Sequence, residues 1–401
     1  MLSFTEARDK LLSCVSPVET EAVSLPECGG RVLGADLIAL ENVPPFDRSP
    51  YDGYAFRAAD TETASRERPV TLRIVEEIAA GDTPKQTVFP GTAAKILTGA
   101  PIPPGADAVC MFEKTQFTSE TVTLFECFHP GDNVVKTGED VKKGAVLARR
   151  GDMIDPGIAG TLAAQSEINP LVYRQTRVGI ISTGNEVAEA GEELTPGKIR
   201  NSNRHMLEAA LVREGMKPVY LGLAGDDTEK IALLIRQGVS SCDAVILTGG
   251  VSVGDYDLSP AAMDAAGCEL LFRGVDLKPG MACAYGVLSG KLICGLSGNP
   301  ASSLTNYFMV ALPALRKQTG RREAAPPEIM LTLKTPFSKK SKNTRVLRGR
   351  LDLTDGTVGL KLSEDQGNVV LSSAIGCDAL AVVPAGSGAL PAGTKLKGFV
   401  L

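Results

Sequence analysis

Residues 177–320 alternate short apolar runs with segments that carry helix start and stop signals, and this alternation constrains the fold more than any other feature. The apolar runs cover 177–182, 218–223, 243–248, 269–272 and 291–294. Nearly continuous apolar strands that alternate with helices are typical of a parallel sheet covered on both faces. The sequence therefore predicts a doubly wound, mostly parallel α/β domain, in which ligands bind beyond the carboxyl ends of the strands.

Four helices are predicted between or after these strands. Each has apolar residues at helical spacing, a polar residue near its start, or a glycine at its end. In chain order they end at Gly215, run from Asp226-Asp227 to Gly238, run from Ser259-Pro260 to Gly267, and begin at Asn299-Pro300.

The segments on either side of this domain contain mainly β-forming runs separated by Pro- and Gly-rich turns. Such runs occur at 70–75, 93–97, 108–112 and 121–125, and again between 329 and 401. We expect a mixed N-terminal domain (1–46 plus 141–176), an inserted β-rich domain (47–140), the α/β domain (177–323) and a C-terminal β barrel (324–401). The N-terminal domain opens with a capping box, Ser3-x-x-Glu6.

The composition excludes several classes of function. A net charge of −5 over 401 residues argues against a nucleic-acid-binding protein, which usually has a strongly basic face. Nine scattered cysteines without Cys-x-x-Cys spacing and only two histidines give no support for a zinc site or a Ser-His-Asp triad. No apolar run has membrane-spanning length, and no signal peptide is apparent, so we expect a cytoplasmic protein.

Polar residues collect directly after the strands of the α/β domain, where the fold rule places a site. Glycines there let a ligand approach the backbone, and exposed amides can bind phosphate or oxyanions. The segments are Ser182-Thr-Gly-Asn-Glu186, Thr248-Gly-Gly-Val-Ser-Val-Gly-Asp-Tyr-Asp257, Lys278-Pro-Gly280 and Leu296-Ser-Gly-Asn-Pro300. The candidate ligand contacts in them are Thr183, Gly184, Gly249, Gly250, Ser252, Gly254, Pro279, Gly280, Ser297, Gly298 and Asn299.

Acidic residues near phosphate-binding loops suggest a hard cation such as Mg²⁺. Glu186 and Asp257 are the best candidate ligands, and Asp226 is a further one, although Asp226 or Asp227 is at least as easily explained as a helix N-cap. Lys278 would be the point charge for an anion. The chain has no P-loop motif and no strand-led Gly-x-Gly-x-x-Gly, which argues against a P-loop NTPase and a dinucleotide oxidoreductase.

These motifs resemble the molybdopterin molybdenumtransferase family, which includes MoeA and the gephyrin E domain. The resemblance extends over nearly the whole chain in the expected order. Its further segments are Asp52-Gly-Tyr-Ala55, Leu97-Thr-Gly-Ala-Pro-Ile-Pro-Pro-Gly-Ala-Asp-Ala-Val109, Gly138-Glu-Asp140 and, more weakly, Gln366-Gly-Asn368 with Ser372-Ser373.

The resemblance implies a homodimeric transferase that inserts molybdate into adenylylated molybdopterin and releases AMP with the help of Mg²⁺. It also implies a molybdopterin adenylyltransferase and apo-molybdoenzymes as partners. Glu186 and Asp257 would hold Mg²⁺ against the phosphates, while Lys278 and residues 297–299 would bind molybdate or the pterin phosphate. By the same resemblance, Asp52, Thr98 and Asp140 would approach the cleft, and Arg345, Arg348, Ser372 and Ser373 would close the oxyanion pocket.

The sequence departs from the family pattern at Met281, where a second lysine is common, and at Ser297, where proline is common. Ser49-Pro-Tyr51 also differs from the usual residues before Asp-Gly-Tyr-Ala. These departures leave open a paralogue that handles tungsten, an enzyme that adenylylates the pterin, or a scaffold of the gephyrin type.

Overall fold

This computed structural model describes residues 1–251, 258–354 and 356–401. By its internal contacts the chain forms two compact units. The first comprises Met1–Ala35, Arg150–Asp155 and Asn169–Leu401, and the second comprises Asp36–Arg149 and Pro156–Ile168. The four-domain division is finer than this, and it stays a prediction. No helix within the described ranges is both long and apolar enough to cross a lipid bilayer.

The residues before 177 form short strands and two α-helices. In chain order they are β1 (Leu2–Ser3), α1 (Phe4–Cys14), β2 (Thr20–Ala22), β3 (Leu37–Ile38), β4 (Gly53–Phe56), β5 (Val70–Ile78), β6 (Thr92–Ile96), β7 (Ala108–Met111), β8 (Thr115–Phe117), β9 (Thr121–Leu124), β10 (Val146–Ala148), α2 (Pro156–Ala164) and β11 (Leu171–Tyr173). Helix α1 begins with the predicted capping box, in which Ser3 and Glu6 exchange hydrogen bonds.

The second unit is built on a six-stranded sheet with the order β7-β4-β6-β5-β9-β8. Its pairs are antiparallel except for β5 and β6, which run parallel. Alternate residues of β4 point to opposite faces, so that Tyr54 and Phe56 belong to one apolar cluster and Ala55 to another. Strand β4 lacks a strong β signal in the sequence because half of it is glycine and alanine.

The α/β domain of the first unit contains strands and helices in alternation. They are β12 (Arg177–Ser182), β13 (Val187–Ala188), β14 (Ile199–Arg200), α3 (Ser202–Arg213), β15 (Lys217–Leu223), α4 (Thr228–Ser241), β16 (Ala244–Thr248), α5 (Leu258–Ala266), β17 (Glu269–Arg273), β18 (Val275–Asp276), β19 (Cys283–Leu288), β20 (Lys291–Leu296), α6 (Pro300–Asn306) and α7 (Leu312–Gln318). A π-helical turn, Tyr307–Ala311, joins α6 to α7.

The main sheet of this domain has the order β15-β12-β16-β20-β19-β17. The first four strands are mutually parallel, and β19 is antiparallel to both of its neighbours. One face packs against α3, α7, the π-helical turn and the N-terminal helix α1, and the other packs against α4 and α5. The predicted doubly wound, mostly parallel domain is therefore confirmed.

Helix α4 corrects one sequence-based boundary. It continues through Gly238, where the sequence predicts its end, to Ser241. A Cβ atom at Gly238 would lie 2.7 Å from side-chain carbons of both Leu221 and Val245. This glycine therefore lets the helix pack closely on the sheet and does not terminate it.

The C-terminal strands close into a barrel, as the sequence predicts. The strands are β21 (Glu328–Leu333), β22 (Arg345–Asp352), β23 (Gly359–Leu362), β24 (Ala379–Val383) and β25 (Lys395–Val400), in the barrel order β21-β23-β22-β24-β25. Leu331, Leu347 and Leu360 are fully buried inside it. Val346 and Leu380 instead join the core of the α/β domain, which anchors the barrel to the sheet.

Candidate functional site

Three parallel strands end side by side at one edge of the main sheet. Ser182 is in register with Thr248, and Thr248 is in register with Leu296. The backbone N–H of Thr183 donates to the Thr248 carbonyl at 3.0 Å, and that of Gly249 donates to the Leu296 carbonyl at 3.0 Å. The loops after β12, β16 and β20, which the sequence analysis predicts as ligand-binding segments, therefore begin next to one another at the same edge of the sheet.

A first cavity opens between these loops, and we call it the glycine-loop cavity. It has a volume of about 370 Å³. Its described lining residues are Thr183, Glu186, Val187, Ile199, Arg200, Asn201, Ser202, Asn203, Thr248, Gly298, Asn299, Pro300, Val369 and Leu371. Of the predicted contacts, Thr183, Glu186, Gly298 and Asn299 lie in its wall. Among the described residues of that wall, Glu186 and Arg200 are the charged ones.

Gly184, Gly249 and Gly250 are not among the described lining residues of this cavity. The Ser259 hydroxyl donates to the Gly249 carbonyl at 2.8 Å, and the Ser259 backbone N–H donates to the Gly250 carbonyl at 3.1 Å. These contacts attach the start of the β16 loop to the start of α5. Ser252, Gly254 and Asp257, the other predicted contacts of this loop, lie outside the described residues.

The segment that carries Glu186 is held by a partly buried polar network around Glu189. The Glu189 carboxylate accepts hydrogen bonds from Tyr220 Oη (2.6 Å), Asn201 Nδ2 (2.9 Å) and Arg204 Nη1 (2.9 Å). Burial raises the pKa of Glu189, but these hydrogen bonds outweigh burial, and the pKa lies below its ordinary value. The network therefore fixes one wall of the glycine-loop cavity with an ionised carboxylate.

A second cavity, which we call the cationic cavity, lies beside the first and shares Asn299 with it. It has a volume of about 550 Å³. Its described lining residues are Leu277, Lys278, Pro279, Gly280, Met281, Ala282, Ser297, Asn299, Ser302, Lys339, Arg345, Gln366, Gly367 and Asn368. This set contains three basic side chains and no carboxylate, so the described wall of the cavity is suited to an anion.

The three basic residues come from separate parts of the chain. Lys278 and Lys339 are exposed, whereas Arg345 is 8% exposed and lies over the Phe337 ring, 5.4 Å from its centroid. Arg345 Nε is 3.4 Å from the Ser341 hydroxyl, at the outer limit of a hydrogen bond. The positive charge of Arg345 is thus held in place, while the two lysines can adjust to a ligand.

Lys278 reaches this position because its backbone continues the barrel. Its N–H donates to the Thr344 carbonyl at 2.8 Å, and its carbonyl accepts from Val346 N–H at 2.9 Å. Asp276 adds a side-chain tether, since it accepts from Asn343 Nδ2 at 2.8 Å and Thr344 Oγ1 at 2.9 Å. The Lys278 turn is therefore held rigidly against the start of β22.

Arg348, Ser372 and Ser373 are not among the described lining residues of the cationic cavity. Arg348 is 1% exposed, and it donates from Nε to Ser373 Oγ at 3.0 Å and from Nη2 to the Gly367 carbonyl at 3.0 Å. Ser372 and Ser373 instead line a separate cavity on the barrel. Arg348 and Ser373 thus support the Gly367 wall from behind, and their predicted ligand contacts stay predictions.

The described residues offer a limited set of metal ligands. Within 1–251, 258–354 and 356–401, no three His, Cys, Asp or Glu side chains are grouped as a metal site. Asp227 caps α4, since its Oδ1 accepts a hydrogen bond from Lys230 N–H at 3.0 Å. Asp226 is exposed, and its Oδ2 lies 3.4 Å from the Asn185 backbone nitrogen. In the described walls of the glycine-loop and cationic cavities, Glu186 is the carboxylate that could bind a metal ion. Because Mg²⁺ is often held by one or two carboxylates and substrate phosphates, the site fits this ion if phosphate supplies further oxygens.

The second unit contains the other predicted catalytic residues. Asp52 Oδ1 accepts from the backbone N–H and the hydroxyl of Thr98, at 2.7 and 2.8 Å. These hydrogen bonds lower the pKa of the exposed Asp52 carboxyl. Asp140 is exposed, and its N–H donates to the Val43 carbonyl. The structure thus brings Asp52 and Thr98 together, while their part in catalysis stays a prediction.

Sequence reasoning missed Lys339, Asn203 and Gln366 as cavity residues. Lys339 belongs to the run Ser338-Lys-Lys-Ser-Lys342, which by itself is typical of a solvent-exposed loop. Met281 and Ser297, two of the three departures from the family pattern, both line the cationic cavity. These two differences therefore fall at the place where an anion would bind.

Family comparisons cover almost the whole chain. Residues 2–166 match the MoeA N-terminal region (domain I and II), residues 179–317 match a family described as Probable molybdopterin binding domain, and residues 330–398 match the MoeA C-terminal region (domain IV).

Individual relatives are similar over their full length. The molybdopterin molybdenumtransferase of Bacillus subtilis is 37% identical over 94% of this chain and 89% of its own. That of Staphylococcus aureus (strain COL) is 34% identical over 97% of this chain and 93% of its own. The crystal structure of the molybdopterin biosynthesis MoeA protein from Pyrococcus horikoshii OT3 covers 100% of both chains, with a TM-score of 0.88 and 30% identity.

Proposed function

Because this chain belongs to the molybdopterin molybdenumtransferase family, we propose that it inserts molybdenum from molybdate into adenylylated molybdopterin and releases AMP. The observation that supports this most directly is the cationic cavity, whose described wall holds Lys278, Lys339 and Arg345 but no carboxylate. A compact dianion such as molybdate needs several donors and positive charges around it, and this cavity offers them.

In this proposal the oxoanion binds in the cationic cavity. The three basic side chains balance its charge, and the Ser297 hydroxyl and the side-chain amide of Asn368 are available to donate hydrogen bonds. The guanidinium of Arg345 offers a planar fork of donors, and the lysines act as point charges. The anion would thus be recognised by geometry as well as by charge.

The pterin nucleotide binds, in the same proposal, along the neighbouring glycine-loop cavity. Asn299 lines both cavities, so a ligand in one lies next to a ligand in the other. Glu186, together with Asp257, would hold Mg²⁺ against the substrate phosphates, and the ion would neutralise charge on the phosphoryl oxygens. The polar side chains of Thr183 and Asn201 would orient the nucleotide by hydrogen bonds.

The proposed reaction balances without an oxidant or reductant. Two Mo–S bonds form at the dithiolene, and one oxo group of molybdate leaves as water with the two thiol protons. A water molecule is consumed when the phosphoanhydride is cleaved. Its oxygen bonds to one phosphorus while the bond from that phosphorus to the bridging oxygen breaks, the bridging oxygen stays on the other phosphate, and AMP and the protons of the water are released. Lys278 and Arg345 lie where they can stabilise negative charge during these steps, and no histidine base is needed.

The quaternary state is part of the proposal. We expect a homodimer, on the resemblance to the family, and on the same basis Asp52, Thr98 and Asp140 stay candidate catalytic residues. Sedimentation at micromolar protein concentration should show a dimer, and a monomer alone would contradict this expectation.

Release of AMP tests the proposed reaction. The protein is incubated with adenylylated molybdopterin, Mg²⁺ and saturating molybdate, and AMP is measured with and without the oxoanion. We expect molybdate-dependent AMP release. Stronger stimulation by tungstate would keep the reaction but change the metal, whereas ATP consumption with non-adenylylated pterin and no molybdate-dependent AMP release would replace it with pterin adenylylation.

A further inference from the structure

A buried asparagine lies directly behind the Lys278–Gly280 turn of the cationic cavity. Asn306 is the last residue of α6 and is fully buried. Its Nδ2 donates a hydrogen bond to the Gly280 carbonyl at 2.7 Å, and its Oδ1 accepts one from the Tyr285 hydroxyl. Asn306 thus links the cavity turn to both α6 and β19.

The orientation of the Asn306 amide is determined by Gly280, because the Gly280 carbonyl can only accept and therefore requires Nδ2 on its side. Tyr285 supplies a donor on the other side of the amide. It is fully buried in β19, and burial raises the pKa of its phenol well above the ordinary value, so the hydroxyl stays protonated and donates to Asn306 Oδ1. A flipped amide would place two acceptors against each other at Gly280 and would lose the hydrogen bond to the turn.

The turn is packed too closely on α6 to shift freely. Gly280 has a φ of +113°, and a Cβ atom there would lie 3.3 Å from the Ser302 carbonyl oxygen and 3.4 Å from Asn306 Cβ. Glycine is therefore favoured both by the backbone conformation and by the space. A π-helical turn follows directly after Asn306, a feature that frequently occurs near functional sites.

The two ends of the turn are thus held by different structures. The backbone of Lys278 is paired with the start of β22, and the carbonyl of Gly280 is bonded to Asn306. We propose that Asn306 is a positioning residue that fixes the Pro279-Gly280 wall, and with it Lys278, in the conformation that receives the oxoanion. This inference rests on the proposed function for the identity of the anion, but the clamp itself does not depend on it.

Three substitutions in the full-length protein test this proposal. Asn306→Leu keeps the number and branching of the side-chain heavy atoms and removes both hydrogen bonds, and Tyr285→Phe removes only the hydroxyl that donates to Asn306 Oδ1. Thr305→Val is the matched control, because the buried Thr305 hydroxyl donates at 2.7 Å to Ala301 within the same helix and does not contact the turn. Molybdate binding is measured by calorimetry, and amide exchange of residues 274–284 is measured by mass spectrometry.

We expect Asn306→Leu to weaken molybdate binding about tenfold, Tyr285→Phe about threefold and Thr305→Val less than about twofold. The first two substitutions should also accelerate amide exchange in the turn more than the control does. Unchanged exchange in both would overturn the clamp, and faster exchange with unchanged molybdate affinity would overturn its positioning role. If the unsubstituted protein does not bind molybdate, the proposed function is at fault, and the exchange rates still decide whether the clamp exists.

Discussion

The two neighbouring cavities share Asn299 but differ in charge and in how they are built. The described wall of the cationic cavity carries Lys278, Lys339 and Arg345 without a carboxylate, while that of the glycine-loop cavity carries Glu186 and Arg200, which balance. One is suited to a compact anion, and the other to a larger ligand whose charge is met partly by a bound cation.

The comparison also shows how each wall is held in place. Asp276 tethers the Lys278 turn to the start of β22, and Glu189 holds the segment that carries Glu186. Neither carboxylate is among the described lining residues of its cavity. Acidic side chains can therefore organise the walls of a ligand site at short range, provided that their charge is stabilised by hydrogen bonds and does not face the ligand.

The largest effect is expected at Lys278. Lys278→Ala should lower the rate of molybdate-dependent AMP release about 10²- to 10³-fold, because it removes a preformed charge at the place where negative charge develops. Lys340→Ala is the matched control, since Lys340 is exposed in the same chain region as Lys339 but is not among the described lining residues. Equal rates for the two variants would show that the cationic cavity is not where the reaction is stabilised.

Glu186→Gln should distinguish the roles of the two cavities. We expect AMP release at fixed Mg²⁺ to fall about ten- to a hundredfold, with partial recovery at higher Mg²⁺, because a carboxylate ligand is lost. Molybdate affinity, measured by calorimetry, should stay unchanged. A loss of molybdate affinity without a change in the Mg²⁺ requirement would reverse the assignment of the two cavities.

Lys339→Ala should have a smaller effect that depends on salt. Molybdate affinity should fall about three- to tenfold at low ionic strength, and less at high ionic strength, because an exposed charge is screened. Lys342→Ala, in the same run of lysines but outside the described cavity wall, is the control. An equal loss in both variants would mean that only the overall charge of the segment matters.

The smallest effect concerns Asp276 and pH. Burial raises the pKa of Asp276, but hydrogen bonds from Asn343 and Thr344 outweigh it, so the folded pKa lies below the ordinary value of 3.8. A lowered folded pKa stabilises the protein above the ordinary pKa, and this contribution is lost as the pH falls through the folded pKa.

Asp276→Asn should therefore lower the unfolding temperature slightly at neutral pH and make its decrease below about pH 4 less steep. Thermal unfolding followed by circular dichroism at several pH values provides the measurement. Parallel pH profiles for the two proteins would show that Asp276 does not contribute through its charge.

Much of the fold follows from local patterns in the sequence. The five apolar runs predicted in the α/β domain are all strands. For β12, β16 and β20 the reason is that a strand buried on both faces must be nearly continuously apolar. The sequence analysis does not predict strand β19, although the sequence contains a hairpin signal, Ser289-Gly290 between two apolar runs. In the structure these two residues adopt φ values of +52° and +74°, as in a tight hairpin.

The residues of the site also divide into those that the sequence predicts and those that it does not. The loops of Thr183, Gly298 and Asn299 were predictable because the end of a parallel strand is a fixed place in this fold. Lys339 could not be predicted, because a run of lysines and serines has the same sequence pattern whether it faces solvent or a cavity. Arg348 and Ser373 hydrogen-bond to each other, and Arg348 also donates to the Gly367 carbonyl, while their predicted ligand contacts stay predictions.

The sequence by itself determined most of the elements of this protein, their order, and the edge of the sheet at which polar residues gather, since these depend on spacing and on strand direction. Only the tertiary structure decided that Lys278, Lys339 and Arg345 share one cavity and that Asn306 lies behind it. These residues are far apart along the chain, and what brings them together is the docking of the barrel on the sheet domain, which no local pattern encodes.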